Sequence, residues 1–340
     1  MSPMTSPSVL VVDDEPGVRE TLARWLQAGG YEVRTASCAD EALDDVRRSA
    51  PAVALCDIRM PGRDGLWLAH QIRHDAPDTA VVMASGVQDP TSVVASFRDG
   101  VIDYLTKPFG RDRLQESMLR ALEWHEAARE SRRWRQTLER DVDAGRQRLV
   151  AALEAAPIDS DIALDGLLVR LLDAASDAYG HAYRVAALSA GIGRALGLGE
   201  EELELIERAA LLHDIGKTTM PDAVLRKPAP LTREEQDLVR QHPAIAAEAI
   251  QRFPYLAPAA DLVRDAQERM DGLGYPCGIR ARDAALGARI IAVADAYDTM
   301  TRSRVFRDAI DPAAAVLEVV RCAGAQFDPL VVEAFKRVLE

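Results

Sequence analysis

A chain of 340 residues, 48% hydrophobic and 28% charged, has the composition of a globular protein and enough length for two domains of ordinary size. Its formal net charge of -13 disfavours broad attraction to nucleic acid or an anionic membrane, while leaving room for a small basic pocket. Cys38, Cys56, Cys277 and Cys322 show no CxxC spacing and read as reduced, buried thiols. The N-terminus soon runs into acidic residues and no apolar run reaches membrane-spanning length, so the expected compartment is the cytoplasm.

Five short apolar runs open the chain: Val9–Val12, Tyr31–Arg34, Ala52–Cys56, Thr79–Met83 and Val101–Leu105. Amphipathic stretches separate them. Residues 17–27, for instance, place Val18, Leu22, Trp25 and Leu26 on one side of a helix. This alternation predicts an α/β domain over residues 1–125, a doubly wound sheet of five parallel strands with five helices. Ligands of such sheets bind beyond the carboxyl ends of the strands. Asp13 and Asp14 follow the first run, Asp57 the third, Ser85 the fourth and Lys107 the fifth, so all should meet at one edge. Three carboxylates at one point repel one another unless a cation sits among them, and hard oxygen ligands suit Mg²⁺. A carboxylate there can accept a phosphoryl group while a lysine and a hydroxyl stabilise its oxygens.

The segments VVDDEP, DIRMPGRDG, ASG and YLTKPF resemble those of a two-component receiver domain of flavodoxin-like fold. The resemblance implies that Asp57 is the phosphoacceptor. It further implies that Asp13 and Asp14 hold Mg²⁺ with Asp57 and the Arg59 carbonyl, that Ser85 and Tyr104 are switch residues, and that Lys107 binds the phosphoryl group. The implied partner is a sensor histidine kinase.

Residues 111–156 are charged, helix-prone and free of proline. Trp134, Leu138, Val142, Leu149 and Leu153 recur at three- and four-residue steps, with Gly145 breaking the heptad. The pattern predicts a long connecting helix, with 126–160 as linker and a homodimer formed through it; a solvated spacer is the alternative.

From 161 to 340 helical periodicity alone remains, predicting an all-α domain. Thr232-Arg-Glu-Glu235 reads as a capping box and Asp311-Pro312 as a helix start. His181 shares a face with Val185, Leu188 and Ile192; His213 with Leu203, Ile206 and Ala210; Asp295 with Ala288 and Ile291. Polar groups pointed at a core need partners. One buried histidine is ordinarily a hydrogen-bonded core residue. Four such groups, with Asp214 beside His213, point to a metal.

The blocks HAYRV, HDIGK, QHP, DGLGYP, VADAYD and GAQFDP, spanning about 165–335, resemble the HD-GYP branch of the HD metal-dependent phosphohydrolases. That branch hydrolyses cyclic di-GMP at a centre of two or three metals, Fe, Mn or another divalent ion. By resemblance, His181, His213, Asp214, His242 and Asp295 are metal ligands. Lys217, Arg304 and Arg307 hold phosphates, and Gly274, Tyr275 and Pro276 form the signature loop. Where the family reads HHE before that loop, this chain has Ala266, Gln267 and Glu268. Alanine donates nothing and a glutamine carbonyl is a poor ligand for a transition metal. Asp177, four residues before His181, offers a carboxylate where some members carry glutamate, while Phe306 and Ala246 replace the usual tyrosine and glycine.

The expectation is a response regulator whose output domain binds cyclic di-GMP or a partner protein with weak or no hydrolysis. The alternatives are an active phosphodiesterase using the remaining H…HD…D set, and a purely structural module. Neither a recognition-helix motif nor a basic stripe points to DNA.

Overall fold

A computed structural model describes residues 6–86, 101–156, 158–172, 177–302 and 309–340. The chain divides into two compact units, Met1–Arg135 and Gln136–Glu340.

In the first unit, strands β1 (Ser8–Val12), β2 (Glu32–Ala36), β3 (Val53–Asp57), β4 (Ala80–Ser85) and β5 (Asp103–Thr106) form one parallel sheet in the order β2-β1-β3-β4-β5. β1 shows why the sequence reads as an unbroken apolar run. Val9 and Val11 pack with Leu22, Leu26, Leu114 and Met118 on one face, and Leu10 and Val12 with Leu43, Leu68 and Ile72 on the other. A strand covered on both faces has no polar side to alternate. β2 lies at the sheet edge and buries only Ala36 fully, so its apolar run marks its position less well: the strand starts one residue later than the run and ends at Ala36. Helices α1 (Pro16–Ala28), α2 (Ala39–Arg48) and α3 (Gly65–Asp75) cover the sheet. The Trp67 amide donates to the Asp64 side chain at 2.8 Å, capping α3. Another of the expected helices falls on 87–100, outside the described residues.

Helix α4 runs unbroken over Arg111–Glu154. Leu114, Met118 and Ala121 belong to the core of the first unit. In the second unit, Leu138 and Val142 pack on Met220, Val224, Leu238 and Ile245, and Leu149 and Leu153 enter the main core. Four of the five residues expected to seam a homodimer are thus buried within the chain's own packing. Trp134, 39% exposed, is the one left at the surface.

The rest of the second unit is helical: α5 (Asp161–Leu171), α6 (Ala178–Ala195), α7 (Glu200–Leu212), a 3-10 turn (Ile215–Thr219), α8 (Asp222–Leu225), α9 (Arg233–Val239), α10 (His242–Ile250), α11 (Ala260–Asp265), α12 (Leu286–Thr301), α13 (Pro312–Arg321) and α14 (Pro329–Leu339). α6 packs against α7, α12 and α14 around a core of Leu, Ile, Val and Ala closed by Phe335. Thr232 and Glu235 form their capping box, and Asp311 accepts from the amides of Ala313 and Ala314. Of the four cysteines only Cys56 is buried; Cys277, expected inside, is exposed because it lies in the turn that follows Pro276. Among the described residues no helix is long and apolar enough to cross a membrane.

Candidate functional site

The strand order reverses direction at β1 and β3, and the first acidic cluster lies beyond their carboxyl ends. Asp13, Asp14 and Asp57 each offer an oxygen within 4.8 Å of the others. Lys107 donates to Asp13 Oδ2 at 2.7 Å and lies 3.2 Å from Asp57 Oδ1. Its backbone N–H donates to the Ser85 carbonyl at 2.7 Å, which ties the lysine turn to the end of β4. Burial raises the Asp57 carboxyl above its ordinary range, with Lys107 pulling the other way. Burial opposes the charge on Lys107, but Asp13 and Asp57 outweigh it and raise the ammonium's pKa. One ammonium leaves three carboxylates under-neutralised, a donor set that fits a hard divalent cation. Asp13, Asp14, Asp57 and Lys107 therefore converge, Ser85 is buried at the same edge, and Tyr104 is half-buried on β5.

The second site is built on four parts of the helical unit. α6 supplies His181, the residues just after α7 supply His213 and Asp214, the start of α10 supplies His242, and α12 supplies Asp295. His213 Nδ1 donates to the Ala210 carbonyl at 2.7 Å and His242 Nδ1 to the Val239 carbonyl at 2.8 Å. A carbonyl can only accept, so these contacts fix Nδ1 as the protonated nitrogen and turn Nε2 inward. His181 Nδ1 rests on Asp298 Oδ2 at 2.7 Å. All three Nε2 atoms and Asp214 Oδ1 are buried without a hydrogen-bond partner. Orphaned buried polar atoms gathered in this way about the Asp214 carboxylate are costly as they stand and fit a divalent metal.

The distances support the same reading. His181 Nε2 lies 3.2 Å from Asp295 Oδ1, and His213 Nε2 lies 3.9 Å from the same oxygen. Asp214 Oδ1 is 3.5 Å from His213 Nε2 and 3.4 Å from His242 Nε2, while its Oδ2 faces His181 at 3.8 Å. His181, His213 and Asp295 are close enough to share one ion. Burial favours a neutral His181 ring, but the carboxylates of Asp295 and Asp298 outweigh it and raise the pKa to about 9. Against burial, Lys217 and His213 hold Asp214 well below the usual carboxylate range.

The two positions that depart from the family pattern behave differently. Ala266 is buried in the hydrophobic core and offers no donor. Gln267 reaches the site, but its Nε2 donates to Asp295 Oδ2 at 2.9 Å and its Oε1 accepts from the Tyr275 hydroxyl at 3.2 Å. A further metal beside His242 would find no donor at Ala266 and, at Gln267, only a neutral amide oxygen already engaged by Tyr275, so these two positions do not fit one. Asp177 does not fill the gap, since it pairs with Arg184 at 2.8 Å.

On the substrate side, Lys217 donates to Asp214 Oδ2 at 2.6 Å. Gly274 presses its loop onto residues 267–269: a Cβ there would meet the Glu268 Cα at 2.5 Å. Tyr275 stacks edge-on to His242, ring centroids 6.1 Å apart. Pro276 follows it in the same loop. Arg304, Arg307 and Phe306 lie outside the described residues. A cavity of about 500 Å³ opens beside Asp295, lined by Gln267, Tyr275, Thr299, Met300, Arg240 and Arg269. The sequence reading missed Arg240 and Arg269, and also the pair behind His181, where Arg184 Nε donates to Asp298 Oδ1 at 2.7 Å. The signal was present in the spacing: Arg184 lies three residues after His181 and Asp298 three after Asp295, each on its partner's helix face.

Family models for a response regulator receiver domain and for an HD domain match residues 9–119 and 167–331. The cyclic di-GMP phosphodiesterase response regulator RpfG of Xanthomonas campestris is 30% identical over 97% of this chain and 87% of its own length. The chain belongs to the HD-GYP response regulators. Two other relatives are nearly as similar. A cyclic di-GMP phosphodiesterase of Thermotoga maritima is 28% identical over 97% of this chain and 90% of its own. A probable cyclic di-GMP phosphodiesterase of Vibrio cholerae is 27% identical over 98% and 78%. An HD output domain implies a divalent metal. The likeness to phosphodiesterases does not speak for weak or lost activity; that part of the expectation rests on Ala266 and Gln267 alone.

Proposed function

We propose that this response regulator accepts a phosphoryl group on Asp57 from a sensor kinase and thereby controls an output domain built around one divalent cation, Fe, Mn or a similar ion. In the receiver, Asp13, Asp14 and Asp57 hold Mg²⁺, Lys107 and Ser85 bind the phosphoryl oxygens, and Tyr104 acts with Ser85 in switching. In the output domain, His181, His213, Asp214 and Asp295 would hold the cation, with His242 3.4 Å from the Asp214 oxygen that His213 also faces. Bound there, the ion supplies Lewis-acid polarisation of a phosphodiester oxygen. Lys217 and the arginines beside the cavity, with Arg304 and Arg307, provide positive charge for phosphates, and the Gly274–Pro276 loop forms one wall. The ligand is cyclic di-GMP or a partner protein, and hydrolysis is weak or lost.

The observation that carries this reading is the state of Gln267, whose amide N–H faces Asp295 where a second cation would need a lone pair. A second reading, an active one-metal phosphodiesterase, draws support from the intact H…HD…D set and the names of the relatives. Calorimetry with cyclic di-GMP on Mn²⁺-loaded protein, followed by a turnover assay, separates them. The first reading predicts nucleotide binding with turnover at least about a hundredfold below the roughly 1–10³ s⁻¹ typical of enzymes. Turnover inside that range favours the second. No nucleotide binding leaves a protein partner as the ligand.

A further inference from the structure

We infer that Gln267 is a positioning residue for the metal-ligating Asp295, and that Tyr275 acts through it by fixing the amide. The inference rests on the one-cation reading above and assigns Gln267 a working role in that site.

Asp295 has two differently engaged oxygens. Oδ1 faces the His181 and His213 imidazoles and accepts from the Thr299 hydroxyl, one turn along α12, at 3.1 Å. Oδ2 accepts from Gln267 Nε2 at 2.9 Å. The orientation of that amide is dictated by chemistry, because an ionised carboxylate only accepts and the amide oxygen cannot serve it. The oxygen end is then left for a donor, and the Tyr275 hydroxyl provides one at 3.2 Å. A second bond locks the same pair through the backbone, where the Tyr275 N–H donates to the Gln267 carbonyl at 3.2 Å. The result is a chain of three side chains, Tyr275 to Gln267 to Asp295. It holds the carboxylate with one oxygen aimed at the imidazole pair.

An amide N–H has no lone pair to give a metal, so a position that is a ligand in the family has become an outer donor to the ligand that remains. Hydrogen-bonded partners of ligating residues orient them, and losing one typically weakens metal affinity by about 10–100-fold. A merely vestigial glutamine would change nothing on removal.

Mn²⁺ titration of the full chain, followed by calorimetry and electron paramagnetic resonance in an Asp13→Asn background that disables the receiver cluster, tests this. Gln267→Leu keeps the bulk and removes the donor; it should raise the Kd by about 10–100-fold and alter the Mn²⁺ line shape. Tyr275→Phe should raise it by about two- to tenfold, the scale of one neutral hydrogen bond. Because Tyr275 acts through Gln267, the double variant should bind no more weakly than Gln267→Leu alone. Parental affinity in Gln267→Leu overturns the inference, as does a full additive loss in the double variant. If the parent output domain instead takes up two ions, the one-cation reading fails and takes this inference with it. Stoichiometry thus tests the first claim and affinity the second.

Discussion

His181, His213 and His242 each anchor Nδ1 on an acceptor and leave Nε2 bare toward the Asp214 carboxylate, an arrangement that a core histidine has no reason to adopt. The burial of His181 and His213 was legible from helical spacing, since each shares a face with aliphatic residues, whereas His242 entered only through the family resemblance. The state of Gln267 was not legible. Its amide is set by Tyr275, eight residues on, and by Asp295, 28 residues on, and no local pattern encodes that meeting. Asp298 and Arg184 were readable by spacing, but charged residues on helices more often face water. The residue-scale prediction concerns the two departures themselves. Ala266→His with Gln267→His places two imidazoles where the family has them. Ala266 lines the cavity beside Asp295, so a larger ring has space on that side, with an overpacking penalty of about 1–3 kcal/mol where it meets the core. The double variant should bind one more Mn²⁺ per chain than the parent, read by elemental analysis. An unchanged count would mean that these positions do not correspond to the family's ligand pair.

At the scale of elements, α4 changes most between sequence and structure. Its apolar steps suggested a seam for a second copy; instead Leu138, Val142, Leu149 and Leu153 serve the core of their own chain. Periodicity reports that a helix has a buried face but not whose surface buries it. Gly145 looked like a flaw in a heptad. It is the point where α4 meets the 3-10 turn that follows Asp214: a Cβ there would lie 2.4 Å from the Thr219 carbonyl oxygen and 2.6 Å from its Cα. This gives a prediction whose sign decides. In an unconstrained helix interior, glycine to alanine stabilises by about 0.5–1 kcal/mol. Here Gly145→Ala forces backbone apart and should destabilise by about 1–3 kcal/mol, seen as a lower urea or thermal midpoint. A raised midpoint would show that the close approach is not a constraint. The strands were easier to read, because β1, β3 and β4 are buried on both faces and carry continuous apolar runs, whereas edge strand β2 does not.

For the whole molecule, the two folds were legible because each imposes a different period on the sequence, alternating strand and helix first and helix alone afterwards. What sequence could not supply was which way the Gln267 amide points, the observation on which the proposed cation number rests. The fold, the four orphaned polar atoms and the family likeness all speak for a metal-binding HD-GYP output domain. On the proposed reading, Ala266 and Gln267 limit it to a single ion. The direct test is the Mn²⁺ content of the Asp13→Asn chain, stripped of metal, reconstituted, desalted and quantified. One ion per chain is the predicted result; two would contradict the account.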